Sequence, residues 1–343
     1  MQTHNPVSGR LSVEEYRQGI LAANRRVLGR AITLAESTLP QDRLLTEDLI
    51  ESILPQTGRS IRIGITGVPG VGKSTFIESF GNHLIQHGKK IAILTIDPSS
   101  QRTYGSILGD KTRMETLSKN SQAFIRPSAS GDAFTGVATG TREAMLLCEA
   151  AGFEIIIIET VGIGQLEAGI RNMVDFFMLL LLAGAGDELQ GIKKGILEMA
   201  DGFVLTKADG DNISRVHQAR TDLLHAIHLF PSSESSWKVP VITTSTITQT
   251  GIAEVWESVQ SYIQTTQANG HFDVQRQRQQ QAWFTETFQR LIQEKINDEP
   301  GLQQQQTEMF QKVSNQKVSA LKAARLLVNE FSLSGSSKKN EQP

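Results

Sequence analysis

The 343-residue chain predicts an α/β protein: a doubly wound, mostly parallel sheet with helical extensions at both ends. Three observations carry that reading. Between residues 61 and 264, apolar runs of strand length alternate with longer segments of helical period, the pattern of βα units. The first run, 61–66, passes without a break into Gly67-Val68-Pro69-Gly70-Val71-Gly72-Lys73-Ser74-Thr75 and then into a helical pattern ending near His87. Outside this region the alternation stops, and only helical spacing remains.

Taken in order, Ser12-Val13-Glu14-Glu15 has the spacing of a capping box. Ile20, Ala23, Val27, Ala31, Leu34 and Ala35 follow at helical intervals, so one helix is expected over 13–37. Pro40 ends it, and a second helix runs to Ile53 before Pro55 and Gly58. Strands are expected at 61–66, 91–96, 123–126, 154–159, 174–182, 203–205 and 239–243. The apolar run 176–183 is far short of the ~20 residues a membrane helix needs, and it reads as a strand buried on both faces. After Asn269-Gly270 the chain turns glutamine-rich. Trp283, Phe284, Phe288, Leu291 and Ile292, then Leu321, Ala324, Leu326 and Leu327, keep a helical period. The expected divisions are therefore 1–60, a helical extension; 61–268, the sheet domain; and 269–343, a second helical extension.

With 34 basic against 36 acidic residues, neither nucleic acid nor an anionic membrane is expected as partner. The first 30 residues lack the apolar core of a secretory signal, and the single cysteine excludes an internal disulfide, which suits the cytoplasm. Cys148 lies in a helical pattern over 143–151 and is expected to be a core residue.

The glycine-rich turn has the form Gly-x-x-x-x-Gly-Lys-Ser between a strand and a helix, a P-loop. Gly67 through Thr75 would curl their N–H groups around phosphate oxygens, at the positive end of the helix dipole. Lys73 would reach the β- and γ-phosphates, and the Ser74 hydroxyl would ligate Mg²⁺. Acidic groups at strand ends complete such a site. Glu159, after four isoleucines, stands at the Walker B position, Asp97 ends the second strand, and Asp110 lies between Gly109 and Lys111. Lys73, Glu159 and Asp110 are the candidate catalytic residues; Ser74, Asp97, Asp110 and Glu159 are the candidate metal ligands.

Thr206-Lys207-Ala208-Asp209, at the end of the sixth run, is close to the Asn-Lys-x-Asp signature that reads guanine. The Asp209 carboxylate would accept from guanine N1–H and N2–H₂, donors that adenine does not present there. Thr206 and Lys207 would line the base. Ser245-Thr246 would add a backbone N–H. The position after the Walker B glycine, where related enzymes carry a water-orienting glutamine, is Ile163, with Gln165 two residues on. Slow intrinsic hydrolysis of GTP to GDP is expected.

Together with Asp97-Pro98-Ser99-Ser100, 109–114, 159–165 and the stretch 184–195, these motifs resemble the MeaB/ArgK/methylmalonic aciduria type A family. Its members are GTPase chaperones of adenosylcobalamin-dependent acyl-CoA mutases, chiefly methylmalonyl-CoA mutase. The resemblance implies switches at 97–114 and 159–167. It also implies a third at 184–195 that answers to the mutase through Asp187, Glu188, Lys193 and Lys194. It implies a homodimer joined partly by the C-terminal helices, and no cobalamin held by this chain itself. Thr206 departs from the usual Asn, which removes an amide that braces the P-loop; a hydroxyl can partly replace it. The alternatives are a nickel-metallochaperone GTPase and a kinase, as the older ArgK label had it. Against the first, the seven histidines are spread, with His225 and His228 the clearest near pair, and one cysteine is too few.

Overall fold

In a computed structural model of the chain, which describes residues 9–97, 114–129, 140–160, 167–183, 194–228 and 234–337, all seven apolar runs are strands. They are β1 (Ile61–Gly67), β2 (Ile91–Asp97), β3 (Ala123–Ala129), β4 (Ile155–Thr160), β5 (Phe176–Leu182), β6 (Gly202–Thr206) and β7 (Val241–Thr243). They form one sheet in the order β3-β2-β4-β1-β5-β6-β7, and every pairing is parallel. Around it lie α1 (Val13–Leu21), α2 (Arg25–Ala35), α3 (Pro40–Ile53), α4 (Lys73–Gln86), α5 (Glu115–Lys119), α6 (Thr141–Ala150) and α7 (Glu167–Arg171). They are followed by α8 (Lys194–Met199), α9 (Ile213–Ile227), α10 (Ile252–Ala268), α11 (His271–Asn297), α12 (Pro300–Ser314) and α13 (Ala320–Ser337).

Strands covered on both faces lose the alternation of polar and apolar residues, which is why these runs were continuous. Ile155 and Ile157 of β4, with Phe176, Met178 and Leu180 of β5, pack toward Phe76 and Phe80 of α4 and Val259 and Tyr262 of α10. Ile156 and Ile158, with Phe177, Leu179 and Leu181, face the opposite layer, where α1–α3 and α6 contribute Tyr16, Ile32, Leu49 and Leu147. Cys148 lies fully buried in that layer, and burial pushes its thiol pKa up, so it is inert packing.

The expected helix over 13–37 is two helices. Asn24 caps the second, its side chain accepting from Arg26 N (3.1 Å) and Val27 N (3.3 Å), after Ala23 takes a left-handed φ of 55°. The two helices then fold together so closely that a Cβ on Gly19 would lie 2.6 Å from Val27. Hydrophobic period cannot reveal this break, because both helices present the same apolar face to one core. Pro40 opens α3 rather than merely ending what precedes it.

At the amino ends of the strands a charged network is buried. Asp175 accepts from Arg276 Nε (2.8 Å) and Nη2 (2.9 Å) and from Arg62 N (2.8 Å); Arg62 Nε in turn donates to Glu149 (2.8 Å). Arg171 pairs with Asp201 at 2.7 Å, and Gln275 and Gln279 donate to Val174 O. These bonds seat the first turns of α11 on the foot of the sheet. The chain divides into two compact units, Met1–Gln279 and Gln280–Pro343, and the division falls within α11. The second unit holds the rest of α11 with α12 and α13, and Phe284, Phe288, Phe310 and Leu321 stand exposed on it. Among the described residues no helix is long and apolar enough to cross a membrane.

Candidate functional site

The loop between β1 and α4 is shaped by its glycines, for two different reasons. Gly70 and Gly72 adopt φ of 80° and 92°, and a Cβ on either would point into open space, so the loop presents bare backbone. Gly67 is required by packing, since a Cβ there would lie 2.6 Å from Leu180 O. Gly72 is the N-cap of α4 and supplies no side-chain acceptor. The first N–H groups of α4 are left facing outward at its positive end, an arrangement suited to phosphate oxygens.

Three side chains converge on this cradle, those of Lys73, Ser74 and Glu159. Lys73 Nζ donates to Gly67 O (2.7 Å) and Val68 O (3.2 Å). Burial pulls its pKa down, while the neighbouring Glu159 carboxylate opposes that shift. Glu159 is brought there by register: β1 and β4 are adjacent, with Ile65 opposite Glu159. Ser74 Oγ lies 3.3 Å from Glu159 Oε1. A hydroxyl and a carboxylate are hard oxygen donors of the kind Mg²⁺ takes, so the residues present fit that ion. Among the described residues no group of three His, Cys, Asp or Glu side chains converges elsewhere to compete for it. One strand further, Asp97 closes β2, which pairs with β4. The Asp97 side chain and Asp110 lie outside the described residues, as do Ile163, Gln165, Asp187, Glu188, Lys193 and the side chain of Lys194.

On the other side of β1 the base motif takes its place. Thr206 ends β6, and its hydroxyl donates to Val71 O at 2.7 Å, with Leu181 O further off at 3.3 Å. The hydroxyl thus braces the P-loop, in the place where the usual motif has an Asn amide. Lys207 adopts a left-handed φ of 57°, stabilised by Asn212 Nδ2 donating to its carbonyl (2.9 Å), and its Nζ reaches Gly70 O (3.1 Å). Asp209 Oδ2 accepts from Ser245 Oγ at 2.5 Å, and Ser245 Oγ accepts in turn from Ile247 N and Thr248 N, both at 3.2 Å.

Within the Ser245-Thr246 pair the first backbone N–H already has a partner. The Ser245 N–H is committed to Thr250 O (3.1 Å) in an antiparallel bridge, so it is not available to a base. Sequence reasoning missed Gln249, whose Nε2 donates to Thr246 O (2.6 Å) and Ser79 Oγ (3.2 Å) and ties this loop to α4. A lone glutamine in a polar turn carries no motif by which to find it.

The family model described as methylmalonyl Co-A mutase-associated GTPase MeaB matches residues 28–300. A probable GTPase of Mycobacterium tuberculosis is 44% identical over 317 residues, covering 92% of this chain and 94% of that one. The mitochondrial methylmalonic aciduria type A homolog of Mus musculus is 39% identical over 329 residues, covering 93% and 79%. A crystal structure described as a LAO/AO transport system kinase superposes with a TM-score of 0.74 at 32% identity, covering 95% of this chain and all of that one.

Proposed function

Since the chain belongs to the MeaB family of P-loop GTPases, we propose that its GTP hydrolysis times the loading and protection of an adenosylcobalamin-dependent acyl-CoA mutase, with methylmalonyl-CoA mutase the leading candidate. The single observation behind the GTPase chemistry is the convergence of Lys73, Ser74 and Glu159 on a backbone-lined cradle. Family membership supports the mutase role.

Each residue has a task in this reading. The Lys73 ammonium exchanges its two carbonyl partners for β- and γ-phosphate oxygens, so the cation meets charge as it develops on the transferred group. The N–H groups of the loop and of the first turn of α4 orient the phosphates. Ser74 and Glu159 would hold Mg²⁺, with Asp97 and Asp110 as the further candidate ligands; the bound ion would supply Lewis-acid stabilisation of phosphate charge. The Asp209 carboxylate, held by Ser245, accepts from guanine, and Lys207 and Thr246 flank the ring. Ile163 cannot orient water, so unassisted turnover is on the order of 10⁻⁴ to 10⁻² s⁻¹. We further read 1–60 and 269–343 as extensions of a 61–268 GTPase domain, the latter joining two copies of the chain, in the cytoplasm.

The segment 184–195 is the proposed contact for the mutase. The test is GTP turnover with and without the acyl-CoA mutase encoded in the same cell, for wild type, Asp187→Ala and Lys193→Ala. The mutase should raise wild-type turnover at least ~10-fold, about 1.4 kcal/mol off the barrier, and both variants should lose most of that gain while keeping basal turnover. Equal stimulation of all three proteins would move the contact elsewhere; no stimulation of any would reject the mutase as partner.

A further inference from the structure

The fold brings together a histidine pair other than the one that stood out in the sequence. His83 and His87 lie one turn apart at the end of α4, with ring centroids 4.3 Å apart and planes inclined by 43°. His87 is the C-cap of the helix, its N–H bonded to carbonyls of the last turn, and its ring Nδ1 lies 2.8 Å from His83 O. A carbonyl oxygen only accepts, so Nδ1 carries the proton, and the lone pair of the neutral ring sits on Nε2. His83 is partly buried, and burial together with the adjacent His87 holds its pKa below the usual imidazole value. Neutral imidazole is the form in which the side chain binds metals, and the bond to His83 O turns the lone pair of His87 to Nε2.

The surroundings favour a cation. The carboxyl end of a helix carries the negative pole of its dipole. Glu257 on α10 adds a negative charge felt by His83. The nearby Lys89 ammonium is engaged by Glu154 at 2.7 Å. A spacing of four residues on one helix is also the one by which paired histidines ligate zinc in helical motifs.

We propose that His83 and His87 form a bidentate bis-imidazole site for a borderline divalent transition cation, of the Cu²⁺, Ni²⁺ or Zn²⁺ class, at the end of α4 remote from the P-loop. Imidazole suits these ions and discriminates against Mg²⁺. No third His, Cys, Asp or Glu among the described residues completes the set. Water fills the remaining positions and the ion exchanges readily.

The test uses the full chain, stripped with chelator and kept in excess Mg²⁺ to occupy hard oxygen sites. Titration with Ni²⁺ and Zn²⁺ should show one cation per chain. His83→Ala and His87→Ala should each weaken binding by roughly 100-fold, the loss expected when a linked second ligand is removed. The double variant His225→Ala, His228→Ala should bind as wild type. A measurement free of mutation accompanies it: sub-stoichiometric Cu²⁺ should broaden the ring resonances of His83 and His87 before those of the other histidines. Undiminished binding in either single variant, loss of binding in the His225/His228 control, or earlier broadening of another histidine overturns the site.

Discussion

At the carboxyl rim of the sheet, Lys73 and Ser74 keep bonds of 2.7 to 3.3 Å, to backbone carbonyls and to one carboxylate, that a phosphate or a cation can replace. At the amino foot, Asp175 is 1% exposed and accepts from Arg276 and Arg62 within a network that also takes in Glu149, Gln275 and Ser60. The same kinds of charged group thus serve two ends. Rim groups are held loosely enough to change partners, so their loss should alter chemistry and leave the fold standing. Foot groups are buried with fixed partners, so their loss should strand a charge and cost stability without touching the reaction.

Arg276→Ala is the severest test of that contrast. It leaves Asp175 buried without its main counter-charge, and a destabilisation of about 3–5 kcal/mol is expected in urea unfolding. GTP turnover per folded molecule should be unchanged well below the transition. A loss under ~1 kcal/mol would mean that water reaches the foot.

Lys73→Ala should show the converse. Removing a charge aimed at developing phosphate charge costs roughly 10²–10³-fold in turnover, while the urea midpoint should move by no more than ~0.5 kcal/mol. Turnover at the wild-type rate, with contaminating GTPase removed, would displace the chemistry from this loop.

Asp209→Asn probes the base side of the rim. Charge-assisted hydrogen bonds contribute ~1.5–3 kcal/mol each, so GTP affinity should fall at least ~10-fold. XTP should gain, because xanthine places a carbonyl where guanine has its amino group and the Asn amide can donate to it. Competition binding with GTP, XTP and ATP decides this, and a wild type that binds ATP as well as GTP would refute guanine reading.

A pH effect returns to the foot. Burial pushes the Asp201 pKa up to about 6, against the opposing pull of Arg171 and of the Phe177 N–H. An acid with a folded pKa above its unfolded value of ~3.9 holds its proton more tightly when folded. Stability should therefore fall as pH rises from about 4 to about 6, by about 2–3 kcal/mol at ~1.4 kcal/mol per pH unit, and level off above. Asp201→Asn should flatten that slope in urea midpoints measured across the window.

What was legible in the chain follows from which interactions are local. Parallel strands buried on both faces write themselves as unbroken apolar runs, so all seven strands and the direction of the sheet could be read. The P-loop is legible because its turn, its helix start and its lysine occupy consecutive positions. The guanine motif is legible for the same reason. The turn at Ala23 was hidden because two helices packed on one core share one hydrophobic period.

The sequence by itself determined the phosphate cradle, the strand set and the identity of the acid at the end of β4. Tertiary structure alone decided how these were used. Register between β1 and β4 set Glu159 beside Ser74, the approach of β6 made Thr206 a brace for Val71, and the bridge to Thr250 removed the Ser245 N–H from play. The foot lay further out of reach. Asp175 and Arg276 are 101 residues apart, and nothing local marks them as partners. A buried charge is assigned its counter-charge by which strand ends and helix starts share a low-dielectric space, and that is a property of the packed molecule.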